Sequence, residues 1–230
     1  MEAELASNLM AEMRAQISQV KMAAKLIESA PLKTYQKQNY LNNIRVACER
    51  QMSIIEGIET LCKLEEADIN EPLPSISIHE IIPATISTYQ PIASEKGISI
   101  GYTIPDTLPT IFCREDWLKQ IVKQIVDNSI KYTPAGGKIF VTANYNGGIE
   151  IEFKDTGNGI EERDLPHIFQ HFYRGKIPNN CPTETGVGLG LTIVDRIIST
   201  IGGSISVTSQ IGQGSQFHLF LPDRGCHNRH

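Results

Sequence analysis

The sequence predicts an α+β protein: an N-terminal antiparallel helical hairpin, then an α/β sandwich with a mixed, mostly antiparallel sheet. Three observations predict it. Apolar residues early in the chain recur at alternating steps of four and three, the heptad spacing of paired helices. After a proline-bearing stretch, short segments alternate apolar and polar residues between glycine turns, the pattern of half-buried strands. Those strands are neighbours in hairpins rather than alternating singly with helices, which gathers the helices on one face of the sheet.

The elements follow in order. Residues 4–29 place Ala6, Met10, Met13, Ile17, Val20, Ala24 and Ile27 on one seam, a helix ended by Pro31. A second helix over 34–66 repeats the seam at Leu41, Ile44, Cys48, Gln51, Ile55, Ile58 and Cys62. A lone hairpin leaves apolar seam exposed, so pairing with a second copy into a four-helix bundle is expected; packing on the downstream domain is the alternative. The hairpin domain is expected over 1–68 and a linker over 69–75, within the proline-containing stretch ADINEPLPSISI. The second domain, 76–222, is expected to hold a helix at 79–96, a strand at 98–104, a helix at 114–132 and strands at 138–145 and 149–155. Asn146, Gly147 and Gly148 turn that hairpin. A helix from about Gly188 to Thr200 and a closing hairpin around IGQG complete it. The tail 223–230 is polar and expected to be loose.

Composition narrows the function. The chain has 230 residues and a formal net charge of −5, which gives no reason to expect nucleic acid or an acidic membrane as partner. Its five cysteines are scattered with no CxxC pair, so they read as reduced thiols in a cytoplasmic-type compartment rather than zinc ligands or a disulfide framework. No apolar run approaches the roughly 20 residues of a membrane span. The N-terminus opens in mid-helix without a cap, as expected of a piece of a longer or membrane-associated protein.

Three stretches could carry chemistry. On the helix 114–132, Asn128 shares the stripe of Trp117, Ile121, Ile125 and Tyr132. A buried amide needs a partner; it is either a satisfied core asparagine or an oxygen ligand for a hard cation such as Mg²⁺. Lys131, near the same end, could reach a phosphate. In FKDTGNGI, Asp155 ends an alternating strand before Gly157 and Gly159. It is either a turn former or a fixed anionic acceptor at the bottom of a pocket, suited to an adenine amino group. In TETGVGLGLTIVDRIIST, Gly186, Gly188 and Gly190 stand at the head of a helix. Glycine weakens helices, but here it would bare backbone N–H groups, and the helix dipole favours an anion there. The run lacks the lysine of GxxxxGK[ST] and does not follow a strand as a dinucleotide fingerprint does. The polar loop between Arg174 and Thr185 has the composition of a lid.

These pieces together resemble the ATP-binding domain of sensor histidine kinases, within the wider gyrase, chaperone, kinase and mismatch-repair (GHKL) ATPases of Bergerat fold. DNSIKYTP (127–134) is similar to the family's N box, DTGNGI (155–160) to its first glycine box and IFQHFYR (168–174) to its F box. GVGLGL (186–191) is similar to the second glycine box, and GQGSQFHLFLP (212–222) to the end of the domain. The resemblance runs from about His79 to Pro222. It implies a histidine protein kinase that binds ATP and Mg²⁺, with Asn128 as metal ligand and Lys131 and Tyr132 beside the phosphates and ribose. Asp155 would accept the adenine amino hydrogen; Gly157, Gly159 and Ile160 would shape the base pocket, and Phe172 would belong to the same cofactor site. Arg174 would approach the γ-phosphate, and Gly186, Gly188, Leu189 and Gly190 would form the lid hinge and phosphate-facing end. Gln124 stands where relatives often have a second asparagine.

The hairpin resembles the family's dimerisation and phosphotransfer element, with MAEMRAQI (10–17) beside a family pattern of roughly SHELRTPL. Ala11 then occupies the acceptor-histidine position, and methyl has no lone pair with which to attack phosphorus. Ala15 takes the position of a polar residue used in dephosphorylation. Natural loss of the acceptor, an introduced His→Ala change and a different register of the hairpin all fit. The resemblance implies a homodimer through the hairpin, a response-regulator receiver domain as partner and an upstream sensor domain. A nucleotide-dependent scaffold and a GHKL-type ATPase are the alternatives.

Overall fold

The computed structural model describes residues 2–66, 72–175 and 188–223. Gly186, the lid stretch, part of the expected linker and nearly all of the expected tail lie outside them. Two long helices, α1 (Glu2–Ser29) and α2 (Thr34–Glu66), form the hairpin. They turn through residues 30–33, and Gln51 Nε2 donates across to Met13 O at 3.0 Å.

The single seam expected from the sequence divides in two. Met13, Val20, Ile27, Ile44, Gln51 and Ile58 are half-buried, while Met10 (57 % exposed), Ile17 (44 %), Leu41 (52 %), Ile55 (40 %), Cys48 and Cys62 face outward. Each set repeats every seven residues, so one half of the heptad packs within the hairpin and the other is left on its surface. Ile54 and Gly57 of α2 are buried, and α2 packs on the last helix of the second domain. The alternative expected for the hairpin, packing on the downstream domain, is thus present through a face of α2 beside the seam.

In the second domain, β1 (Ser75–Ile76) pairs antiparallel with β3 (Ile111–Phe112), a small ribbon too short to read from the sequence. The expected helix 79–96 is two helices, α3 (Ile78–Ser87) and α4 (Gln90–Glu95), broken at Thr88–Tyr89 just before Pro91. Then come β2 (Ser99–Thr103), α5 (Glu115–Tyr132), β4 (Lys138–Tyr145), β5 (Ile149–Asp155), α6 (Gly190–Thr200), β6 (Ser204–Gln210) and β7 (Gly214–Leu221). The main sheet has the order β2-β4-β5-β7-β6; β2 and β4 are parallel and every other pair is antiparallel.

Alternation sets the two faces of this sheet. Ile139, Val141, Ile151, Phe153, Phe217 and Leu219 point inward and are buried. They meet Leu118, Ile121, Val122 and Ile125 of α5 and Ile193, Val194 and Ile197 of α6, in one core. Burying a side chain of this size contributes about 1.5–3 kcal/mol each. With helices on one face only, the ends of β5 and α5 and the head of α6 converge at the same edge of the sandwich.

Candidate functional site

That edge holds a cavity of about 900 Å³. Asp155 lines it from the end of β5 and is only 6 % exposed. Its Oδ1 accepts the N–H groups of Gly157 (2.8 Å) and Ser215 (3.1 Å), and Ser129 Oγ donates to Oδ2 at 3.5 Å. Burial raises its carboxyl pKa, and these three donors oppose the rise. The result is a carboxylate fixed in orientation with acceptor capacity left on Oδ2. Gly157 does not line the cavity: a Cβ there would stand 2.8 Å from both Asp155 Oδ1 and Tyr132 O. Its role is to let the chain fold tightly behind the carboxylate. Gly159 and Ile160 do line the cavity, as do Asn158, Ile211 and Phe217.

From α5 come Asn128, Lys131 and Tyr132, all half-buried and all lining the cavity. The Lys131 ammonium lies 4.9 Å from the centroid of the Tyr132 ring, a cation–π contact that places the charge near the cavity wall. Asn128 offers an amide oxygen, a hard donor of the kind Mg²⁺ takes. No group of three or more His, Cys, Asp or Glu residues able to hold a metal exists among the described residues. A cation here would therefore need oxygen ligands from a bound anion besides Asn128, as Mg²⁺ does when it binds with phosphates.

The opposite wall is the head of α6. Gly188, Leu189 and Gly190 all line the cavity, and among the described residues no side chain caps the helix. Gly188 has φ +78°, and a Cβ there would lie 2.6 Å from Tyr173 O; only glycine fits. Gly190 makes room for something else: a Cβ would sit 2.5 Å from Gln124 Oε1. Gln124 thus packs its amide oxygen against the start of α6. The glycine run serves close approach of neighbouring groups as well as bare amides.

The F-box stretch supports this wall from behind. Phe172 N–H donates to Gly188 O at 2.9 Å, and Phe172 holds φ 60°, a left-handed conformation costly for an aromatic residue. Thr192 Oγ1 donates to Phe169 O at 3.0 Å, and Tyr173 Oη donates to Asp164 Oδ1 at 2.9 Å. Phe172 itself does not line the cavity, whereas exposed Arg174 does. The F-box stretch and the head of α6 are therefore joined directly, Phe172 to Gly188.

Sequence reasoning missed several contributors. Ser129 and Ser215 fix Asp155, but a serine one turn away, or from the last strand, is silent until the strands are paired. Glu49, Ser53, Glu56 and Gly57 of α2 also line the cavity; a glycine inside a 33-residue helix was the one available signal. Ala11 and Ala15 lie on α1, both exposed and neither part of the cavity wall.

Comparison with known proteins bears on this arrangement. Residues 113–225 match the family described as histidine kinase-, DNA gyrase B-, and HSP90-like ATPase. Sensor histidine kinase YcbM of Bacillus subtilis is 30 % identical over 81 % of this chain and 60 % of that protein. The crystal structure of full-length ShkA in complex with AMPPNP is 26 % identical, with a TM-score of 0.67 over 97 % of this chain and 46 % of that one. The structure of histidine kinase ThkA in complex with response regulator protein TrrA superposes with a TM-score of 0.73 over 96 % of this chain and 61 % of that one; at 17 % identity it shows the fold. Other curated relatives are longer still, and the chain spans 35 % of their length.

Proposed function

Because the chain belongs by family to the sensor histidine kinases, with residues 113–225 forming their ATPase-type domain, we propose that it binds Mg²⁺-ATP in the cavity between β5, α5 and α6. The observation that carries this reading is Asp155: a buried carboxylate, oriented by two backbone N–H groups, on the wall of a cavity of about 900 Å³. The carboxylate accepts the adenine amino hydrogen and selects against a purine with a carbonyl at that position. Gly159 and Ile160 border the base. Lys131 and Tyr132 hold the ribose and phosphate side, and the amides at the head of α6 receive phosphate oxygens.

Asn128 holds the Mg²⁺, which when bound neutralises phosphate charge. Arg174 stabilises charge on the γ-phosphate. Catalysis in such a site is positioning and charge neutralisation, with the acceptor nitrogen in line with the leaving oxygen. The phosphoryl group goes to a histidine and then to a response-regulator receiver domain. The outward heptad face of the hairpin, Met10, Ile17, Leu41 and Ile55, is the homodimer seam of a four-helix bundle in the cytoplasm. No described helix is long and apolar enough to cross a membrane.

Ala11 favours a second reading. The resemblance puts it at the acceptor position, it is exposed on α1 and its methyl is inert, so this chain would use nucleotide as a switch or scaffold signal without autophosphorylation at that site. Hydrolysis in the manner of GHKL ATPases has less support, because the carboxylate adjacent to Asn128, Asp127, is engaged by the Tyr89 hydroxyl. One experiment separates these: ATP binding and acid-labile ³²P incorporation in the parent chain and in Ala11→His. Binding in both with label only in Ala11→His supports a kinase core lacking its acceptor. Binding with no label in either supports the scaffold, and steady phosphate release supports the ATPase.

A further inference from the structure

The cavity has a wall that the nucleotide reading does not use. Glu49, Ser53, Glu56 and Gly57 line it from α2; spaced at i, i+4, i+7 and i+8, they form one helix face. At the centre of that face is a contact with the head of α6. Gly57 is buried within a 33-residue helix, where glycine is the least favourable residue after proline. An added Cβ would stand 2.9 Å from Leu189 Cδ1 and 3.7 Å from Ile193 Cδ1. Leu189 lies between Gly188 and Gly190, the residues that present the α6 amides to the cavity. The notch at Gly57 therefore sets how closely the hairpin approaches the phosphate-receiving end of the site.

We propose that α2 is an anionic gate on this cavity, latched by Leu189 in the Gly57 notch. The inference rests on the nucleotide reading of the cavity and concerns regulation of that same site. With the latch engaged, Glu56, one residue from the notch, and Glu49 line the same cavity as the head of α6. Arg45 partly offsets Glu49 at 2.5 Å; no ion pair of Glu56 is found among the described residues. Like charges that approach within a Debye length, about 8–10 Å, are only partly screened. Docking thus disfavours charged nucleotide and leaves the adenosine moiety unaffected. Movement of the hairpin that withdraws α2 removes both carboxylates together, so a signal carried by the helices would be read as a change in ATP affinity.

Two variants of the full chain test this. Glu56→Gln removes charge and keeps shape. Gly57→Leu strengthens the helix by propensity but cannot occupy the notch. Adenosine and ATP affinities are measured by calorimetry, and small-angle X-ray scattering reports docking. Each variant is expected to tighten ATP about three- to tenfold, as removal of one or two partly screened charges allows, and to shift adenosine by less than about twofold. The gain for Glu56→Gln is expected to vanish at about 1 M salt. Gly57→Leu is expected to lengthen the particle, and Glu56→Gln to leave it unchanged. Weaker ATP binding by Glu56→Gln overturns the gate, since the carboxylate would then assist the metal-bound nucleotide; unchanged ATP affinity overturns it too. Unchanged scattering for Gly57→Leu overturns the latch. A parent chain that ignores both adenosine and ATP refutes the nucleotide reading itself, whereas adenosine binding without any gain for ATP overturns only the gate.

Discussion

Replacing Asp155 by asparagine separates recognition from structure at a single atom. In the parent, Oδ1 accepts from Gly157 N and Ser215 N, and Oδ2 faces Ser129 Oγ. Asparagine keeps an oxygen for the two backbone donors, so the turn and the β5–β7 contact survive. Its NH₂ then takes the place of Oδ2 and points a donor at the donor of an adenine amino group. The loss is one charge-assisted hydrogen bond, about 1.5–3 kcal/mol, or roughly 10- to 150-fold in affinity. Stability should move the other way or not at all, because a buried ionised carboxyl is replaced by a neutral group. Calorimetric titration with ADP and urea unfolding of the same sample measure both. A variant that loses stability together with affinity, or keeps its affinity, would refute the reasoning: Asp155 would then be a turn former.

Further outcomes follow from the same geometry. The Asp155 pKa is raised by burial, so its contribution to folding is full below the unfolded value of about 3.9 and is lost as pH rises through the raised folded value. ADP affinity should climb over that window as the acceptor ionises, and the stability of Asp155→Asn relative to the parent should climb with it; a flat profile would show that another group sets recognition. Gly188→Ala forces φ +78° on alanine with its Cβ 2.6 Å from the Tyr173 carbonyl. It should cost about 1–3 kcal/mol by urea unfolding and weaken ATP more than adenosine. Ile55→Glu places charge on the outward seam, where Ile55 is 40 % exposed. Sedimentation should report monomer, with ADP affinity kept; an intact dimer would move the interface elsewhere.

Much of this architecture was legible in the residues because it is local. Heptad spacing marked both hairpin helices to within a few residues, and period-two alternation marked β4, β5, β6 and β7. The turn Asn146–Gly147–Gly148 fixed one hairpin, and Asp155 stood out as a carboxylate ending a strand. The break of α3 from α4 was not legible, because the apolar pattern of 79–96 continues through it. Nor was the division of the seam: Met10 and Met13 are equally apolar, and only packing decides which one faces α2. Gly157 reads as a pocket glycine, yet its space is taken by Asp155 and Tyr132; Gly190 does line the cavity, but its missing Cβ also makes room for Gln124, a contact that exists only once α5 and α6 meet.

The sequence by itself determined which segments are helix or strand and which side of each is apolar, since periodicity and turn chemistry act over a few neighbouring residues. Only the tertiary structure decided that Ser129, Asp155 and Ser215 meet at one cavity and that α2 lends it an acidic wall. Those contacts join positions tens to more than a hundred residues apart, through sheet order and helix docking, and no local pattern encodes such distances.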